Sequence, residues 1–241
     1  MFGSKLNIRH ECNTEDPSFV RDSTLALLSH LQPTFDRFDG FMSVSMRADI
    51  REVANKYFEN ANSHPFISMD EPNWVFYLDD KQVEKLMNTT LKAPEGYEFS
   101  SLRPEEAVEV SNDTLYMTKG DEKYIAPKLA GLPSVAMRKT DTKEIVAYVI
   151  HDNFGMISSL FTRKPHRNRG IGSLIERRLN QINVEKLGLV PYKAVSVNRP
   201  RVMEMSVNAY NVVRDSKGNP EVTYWTYRSK TPKKMVVIFE N

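Results

Sequence analysis

A single cysteine, Cys12, stands in the whole chain, so no intrachain disulfide forms and no cysteine metal cluster is available. No apolar run is long enough to span a bilayer, and the N-terminus has no apolar signal core. An excess of one charge is missing too. Across 241 residues, 33 Lys and Arg stand against 31 Asp and Glu, which leaves no basic field of the kind that drives nucleic-acid binding. Short-period repeats and low-complexity tracts are absent. So are the Gly-Lys-Ser/Thr of a P-loop and the three spaced glycines of an early dinucleotide-binding turn. No metal ion, nucleic acid or membrane is expected as a partner. A cytoplasmic protein, monomeric or homodimeric, is expected. A mitochondrial location is the alternative, because Lys5 and Arg9 precede the first acidic residue, Glu11.

What is present begins with a local cluster, Arg163, Lys164, His166, Arg167 and Arg169, set in a neutral background. Alone, such a cluster reads as a solvated loop. Its position changes the reading. The apolar run Met156–Thr162 before it alternates like a strand, and Ser173–Leu187 after it is an amphipathic helix. Between them lies Arg167-Asn168-Arg169-Gly170-Ile171-Gly172. A strand feeding a glycine turn that opens a helix holds a diphosphate, because the first helical N–H groups are unpaired and the helix dipole favours an anion there. Gly170 and Gly172 remove the Cβ atoms that would keep an oxyanion from the backbone.

With 40% hydrophobic residues the chain has room for one large domain or two small ones. Ser23 is expected to cap a helix through Leu31 that Pro33 ends, and a second helix is expected from near Ala48 to Asn60. Phe66–Met69 and Trp74–Leu78 read as two strands about a Glu71-Pro72-Asn73 turn. Asp79 or Asp80 caps a helix through Met87, reaching toward Leu91. Pro94-Glu95-Gly96 marks a boundary, giving domains 1–93 and 94–241. Beyond it the order is a strand from Tyr97, a helix entered at Pro104, and antiparallel strands over Leu132–Arg138, Glu144–His151 and Met156–Arg163. The glycine-turn helix follows, ended by Gly188. Then come a strand over Tyr192–Val197, a helix over Pro200–Ala209, and strands over Val222–Tyr227 and Met235–Phe239.

The Arg-x-x-Gly-x-Gly pattern in this setting resembles the coenzyme A pyrophosphate loop of the GCN5-related N-acetyltransferase superfamily. Leu132-Pro133-Ser134-Val135-Ala136, Ile145–Val149, Gly155-Met156 and the stretch from Leu160 to Gly172 make the likeness closest to the glycine N-acyltransferase-like branch. It covers about residues 97–212. The resemblance implies an α+β sandwich with a mixed, mainly antiparallel central sheet flanked by helices, in which two neighbouring strands splay at the coenzyme site. A smaller degenerate half of the same kind would precede it. It implies transfer of an acetyl or longer acyl group from acyl-coenzyme A to a small amine or amino acid, glycine among them. Carried over by position, the backbone of Leu160, Phe161 and Thr162 would pair with the pantetheine amides. The N–H groups of Arg167, Asn168, Arg169, Gly170, Ile171, Gly172 and Ser173 would hold the pyrophosphate. Asn198 would contact the pantetheine arm, or else cap the helix from Pro200.

The expected catalytic side chains are not in place. The branch's glutamate base falls at Met156, and the superfamily's tyrosine acid falls at Met205, while Tyr210 matches a structural aromatic. His151 and Asp152 are the nearest titratable replacements, against the plainer reading of an exposed hairpin end. Ser158 and Ser159 are candidates to orient an acceptor or water, one on each face of the strand. Met156, Met203 and Met205 read as acyl-pocket lining or as core. Trp74 and Trp225 read as packing residues. Two other functions stay open: a protein or peptide N-acetyltransferase, and a non-catalytic acyl-coenzyme A binder.

Overall fold

The computed structural model describes residues 7–9, 16–37, 40–60, 67–113, 122–152 and 155–230. Cys12, Phe66, the Asn153-Phe154 turn and the strand expected over Met235–Phe239 lie outside the described residues. The chain is mixed α+β, its strands pair mainly antiparallel, and helices flank them, as the resemblance implied.

Two compact units are present. The first holds β1 (Asn7–Arg9), α1 (Pro17–Phe35), β2 (Gly40–Met46), α2 (Ala48–Glu59) and β3 (Ile67–Tyr77) as far as Val75. The chain re-enters it at Val195–Met205 and again from Val212, through β10 (Val222–Ser229). Its strands run in the order β1-β2-β10-β3, and β10 is antiparallel to both neighbours. Phe35, Phe41 and Phe58 centre its core, with ring centroids 4.8 to 5.1 Å apart. Arg228 is fully buried beside them, donating to Ser43 Oγ at 2.9 Å and Asn55 Oδ1 at 2.5 Å. Burial pulls its pKa down to about 10.

The second unit takes Phe76–Ala194 and Ser206–Asn211 among the described residues. In it lie α3 (Asp80–Met87), β4 (Tyr97–Ser100), α4 (Ala107–Asp113), α5 (Glu122–Gly131), β5 (Ser134–Lys139), β6 (Ile145–His151), β7 (Ile157–Thr162), α6 (Ile171–Ile182) and the first part of β8 (Tyr192–Ser196). Helix α7 (Pro200–Val207) and the two-residue β9 (Asn211–Val212) lie where the chain passes from one unit to the other. The strand order is β8-β7-β6-β5-β4, antiparallel from β4 to β7 and parallel between β7 and β8. Both faces are covered. Ala136, Tyr148 and Ile150 pack with Val110, Ile125 and Leu129 of α4 and α5, while Val135, Met137 and Val149 pack with Ile171, Ile175 and Leu179 of α6. That sandwich is why every residue of β6 is buried instead of alternating.

Several expectations are corrected. Helix α1 starts six residues before Ser23 and is capped by Asp16, whose carboxylate accepts from Ser18 N at 2.9 Å. Pro33 lies inside its last turn instead of ending it. Glu71-Pro72-Asn73 is no turn but the middle of the single strand β3, in register with Trp225, Tyr224 and Thr223 of β10. Proline is tolerated there because its carbonyl still accepts, from Val197 N at 3.0 Å, and only a donor is lost. Helix α3 stops at Met87, short of Leu91. Helix α5 is an element the sequence pattern conceals, because Pro127 interrupts it, although Ile125 and Leu129 are buried at helical spacing. Helix α6 ends its α-form at Ile182 and continues as a π-turn, Asn183–Leu187, closed by Gly188 at φ 61°.

Candidate active site

Strand β7, the loop after it and α6 form one continuous piece of the second unit. Gly170 is the N-cap of α6 at φ 72°, a left-handed conformation that glycine adopts without penalty. No side chain caps the helix, so the N–H groups of its first turn are available to an anion. A Cβ built on Gly170 would meet nothing within 4 Å, so the turn opens outward. A Cβ on Gly172 would come 3.3 Å from Thr162 Oγ1, which shows how closely the helix start abuts the end of β7. Asn168 adds a second left-handed residue, at φ 60°.

The basic cluster divides by role. Arg163 forms ion pairs with Glu109 and, at 3.0 Å, with Glu144. Arg167 folds back so that its Nε donates to Thr162 O at 2.8 Å, clamping the loop to the strand end. The His166 ring is buried, with Nδ1 2.9 Å from Tyr97 Oη, and burial holds its pKa below the usual histidine value. Lys164 and Arg169 are exposed. Arg169 donates to Tyr97 Oη at 3.4 Å. The positive charge toward solvent therefore comes chiefly from two residues, not five.

The β6–β7 ladder carries an irregularity. Tyr148 faces Phe161 and Ile150 faces Ser158, so two steps on β6 match three on β7. The extra residue makes a bulge, and Ser159 within it has φ 50°. A left-handed non-glycine residue costs roughly 1–2 kcal/mol, so the surrounding ladder must impose it. The expectation that Ser158 and Ser159 occupy opposite faces fails here, since their Oγ atoms lie only 3.4 Å apart. Against β8, β7 pairs in register at Ile157↔Lys193. Within this unit Phe161 and Thr162 pair with Tyr148 and Ala147 of β6, which engages one edge of the strand and leaves its other edge of the kind that accepts an added strand.

Other candidate residues are placed as follows. His151 is 1% exposed, with Nδ1 3.0 Å from Pro133 O. Asp152 closes its own turn: its carboxylate accepts from Met156 N at 2.9 Å, and its N–H donates to Met156 O at 2.9 Å. Met156 is buried and Met205 is exposed. Asn198 is exposed, its N–H bonded to Ser196 Oγ at 3.1 Å. Ser196 in turn donates to Glu71. Tyr210 is buried with its hydroxyl accepting from Asn180 Nδ2 at 2.7 Å, and burial raises its pKa.

Sequence reasoning missed a buried polar network in this unit. Lys193 Nζ lies 2.6 Å from Glu176 Oε1 and 4.2 Å from the centre of the Tyr210 ring. The network ties α6 to the one residue of β8 that pairs with β7. A signal existed: Lys193 shares a strand face with the apolar Val195, and Glu176 follows directly on Ile175 in the buried stripe of α6.

Burial of His151 has a consequence for stability. Desolvation lowers its folded pKa below the unfolded value of about 6.5. The unfolded chain then binds the proton more readily, so stability is full above that value and declines as pH falls through the folded pKa. Urea unfolding at pH 7.5 and 5.5 should show lower stability at 5.5, with a smaller difference in His151→Gln. His166 shifts in the same direction and supplies the remainder. An equally large difference in both proteins would refute the assignment.

Among the described residues, no helix is long and apolar enough to cross a membrane, and no group of three or more His, Cys, Asp or Glu is placed to hold a metal ion.

The family model described as FR47-like protein matches residues 134–190, which run from β5 through α6. No curated protein matches the chain. Among solved structures, a Drosophila protein aligns at a TM-score of 0.63 and 15% identity, over 78% of this chain and 60% of that one. This chain therefore spans less than two thirds of that relative's length. A functionally unknown conserved protein from Staphylococcus epidermidis aligns at 0.54 and 8% identity, over 93% of this chain and 84% of its own. A GCN5-related N-acetyltransferase from Sphaerobacter thermophilus aligns at 0.50 and 17% identity, over 95% and 74%. At these identities the likeness is one of architecture, and the chain has the GCN5-related N-acetyltransferase fold.

Proposed function

We propose that the chain is an acyl-coenzyme A-dependent N-acyltransferase, acting on the amino group of a small molecule such as glycine, another amino acid or an amine. The observation that carries this reading is the uncapped start of α6 at Gly170 beside the end of β7, whose Phe161 and Thr162 pair along one edge with β6. A diphosphate meets helical N–H groups at the first, and a chain of two amides can add to the second as a strand would. The backbone of Leu160, Phe161 and Thr162 takes the pantetheine amides, and the N–H groups from Arg167 to Ser173 take the pyrophosphate. Residues 94–241 are assigned to this domain and 1–93 to a degenerate half.

The first unit follows a different boundary, ending its first stretch at Val75 and taking β10 from the later part of the chain, but its early residues favour a degenerate half. It repeats the strand–helix–strand plan in β2, α2 and β3, even to a left-handed serine, Ser45 at φ 54°. Arg47 alone separates β2 from α2, where the second unit has its glycine loop. Strand β10 fills the place between β2 and β3.

For the chemistry, an amine must lose a proton before it attacks, since its reference pKa is about 8. The buried ring of His151 and the turn-bound carboxylate of Asp152 are not assigned that transfer. The test is incubation with acetyl- and longer acyl-coenzyme A and a panel of amines and peptides, reading free thiol. Acceptor-dependent thiol release with small amines is expected. Release with peptides alone would favour a protein acetyltransferase, and binding by calorimetry without turnover would favour a non-catalytic binder.

A further inference from the structure

We infer that the hydroxyls of Ser158 and Ser159 act together as a proton relay between the attacking amine and the departing thiolate, an inference that rests on the acyltransfer reading above. Three observations meet at these residues. They follow directly on Ile157, the residue of β7 registered with β8. The bulge turns their Oγ atoms to within 3.4 Å of each other, where a regular strand would send them to opposite faces. The conformation responsible, φ 50° at Ser159, is one a serine rarely adopts, and the ladder with β6 holds it there.

Distance along the strand fits. Thr162 abuts the Gly172 turn, and Ser158 is four residues back, or roughly 13 Å of extended chain. That is comparable with an extended pantetheine arm, so a thioester whose pyrophosphate sits at Gly170 reaches the serine pair. Both serines are half-buried, within reach of a ligand and shielded from bulk water.

The step balances. The ammonium first gives one proton to solvent. The neutral nitrogen then attacks the thioester carbonyl, a C–N bond forms and the C–S bond breaks with its electron pair leaving on sulfur. The nitrogen, now carrying an excess proton, passes it to one serine oxygen. The relay delivers a proton to the thiolate, and the free thiol leaves. Both serines end as they began. No carboxylate or imidazole is required, which accounts for methionine at positions 156 and 205.

Ser159→Gly is the informative variant, because glycine keeps the left-handed conformation while removing the hydroxyl. With whichever amine the wild type acylates, Ser159→Gly and Ser158→Ala should each lower kcat by about 10- to 100-fold, with KM for acyl-coenzyme A within about twofold. Coenzyme affinity by calorimetry should be unchanged. Ser158→Thr, which keeps the hydroxyl, should recover most of the rate lost in Ser158→Ala. The dependence of kcat on deuterium fraction should curve for the wild type and straighten in Ser159→Gly. A wild type that turns over, with both variants within about twofold of its kcat, overturns the relay but leaves acyltransfer standing. A wild type that turns over no amine overturns both.

Discussion

Replacing Gly170 by Glu is expected to lower coenzyme A affinity by at least about 30-fold while the fold survives. The left-handed N-cap penalises any side chain, at a cost of roughly 1 kcal/mol. For a chain of this size such a cost moves Tm by roughly 2–4 °C. The larger effect is electrostatic. Like charges about 4 Å apart repel by roughly 4 kcal/mol at the effective dielectric of a protein surface. Half of that, after screening, is still about a 30-fold loss. A clash with the protein is not the cause, because a Cβ here meets nothing within 4 Å. Gly170→Ala separates the contributions, since it carries the strain without the charge. Calorimetry with coenzyme A reads the affinity and thermal unfolding reads the fold. Unchanged affinity in Gly170→Glu would mean that the diphosphate binds elsewhere.

Lys193→Ala should cost the most stability. Side chains of the Lys193–Glu176 pair are 10% and 11% exposed, so the substitution leaves a buried carboxylate without its cation. Removing one member of a buried pair typically costs 3–5 kcal/mol, about 10 °C in Tm for a chain of this length. The cation over the Tyr210 ring is lost as well. Replacing both partners with apolar residues, Glu176→Leu with Lys193→Met, removes the unpaired charge and should restore most of the loss. A Tm within about 2 °C of wild type for Lys193→Ala would show that water already reaches the pair.

What was legible follows a pattern. The strands β5, β6 and β7, the glycine loop and the start of α6 were read because each carries its own short-range signal: alternating apolar residues, turn residues, a glycine at a helix entrance. Helix α3 was read for the same reason, since Asp79 and Gln82 form a reciprocal cap within four residues. Apart from helix ends such as that of α1, the misreadings concern residues whose local preference lost to a neighbour. Pro72 says turn, yet β10 holds it in register as strand. Ser158 and Ser159 say alternation, yet the ladder with β6 forces a bulge. Glu176 and Lys193 each say surface, yet each is buried because it finds the other.

By itself, then, the sequence determined the run from β5 through the glycine turn to the start of α6, because those elements depend on backbone preferences within a few residues. Only the tertiary structure decided which polar groups became buried partners, and that two successive serines converge. Those outcomes depend on contacts between segments far apart in the chain, and no spacing along it records them.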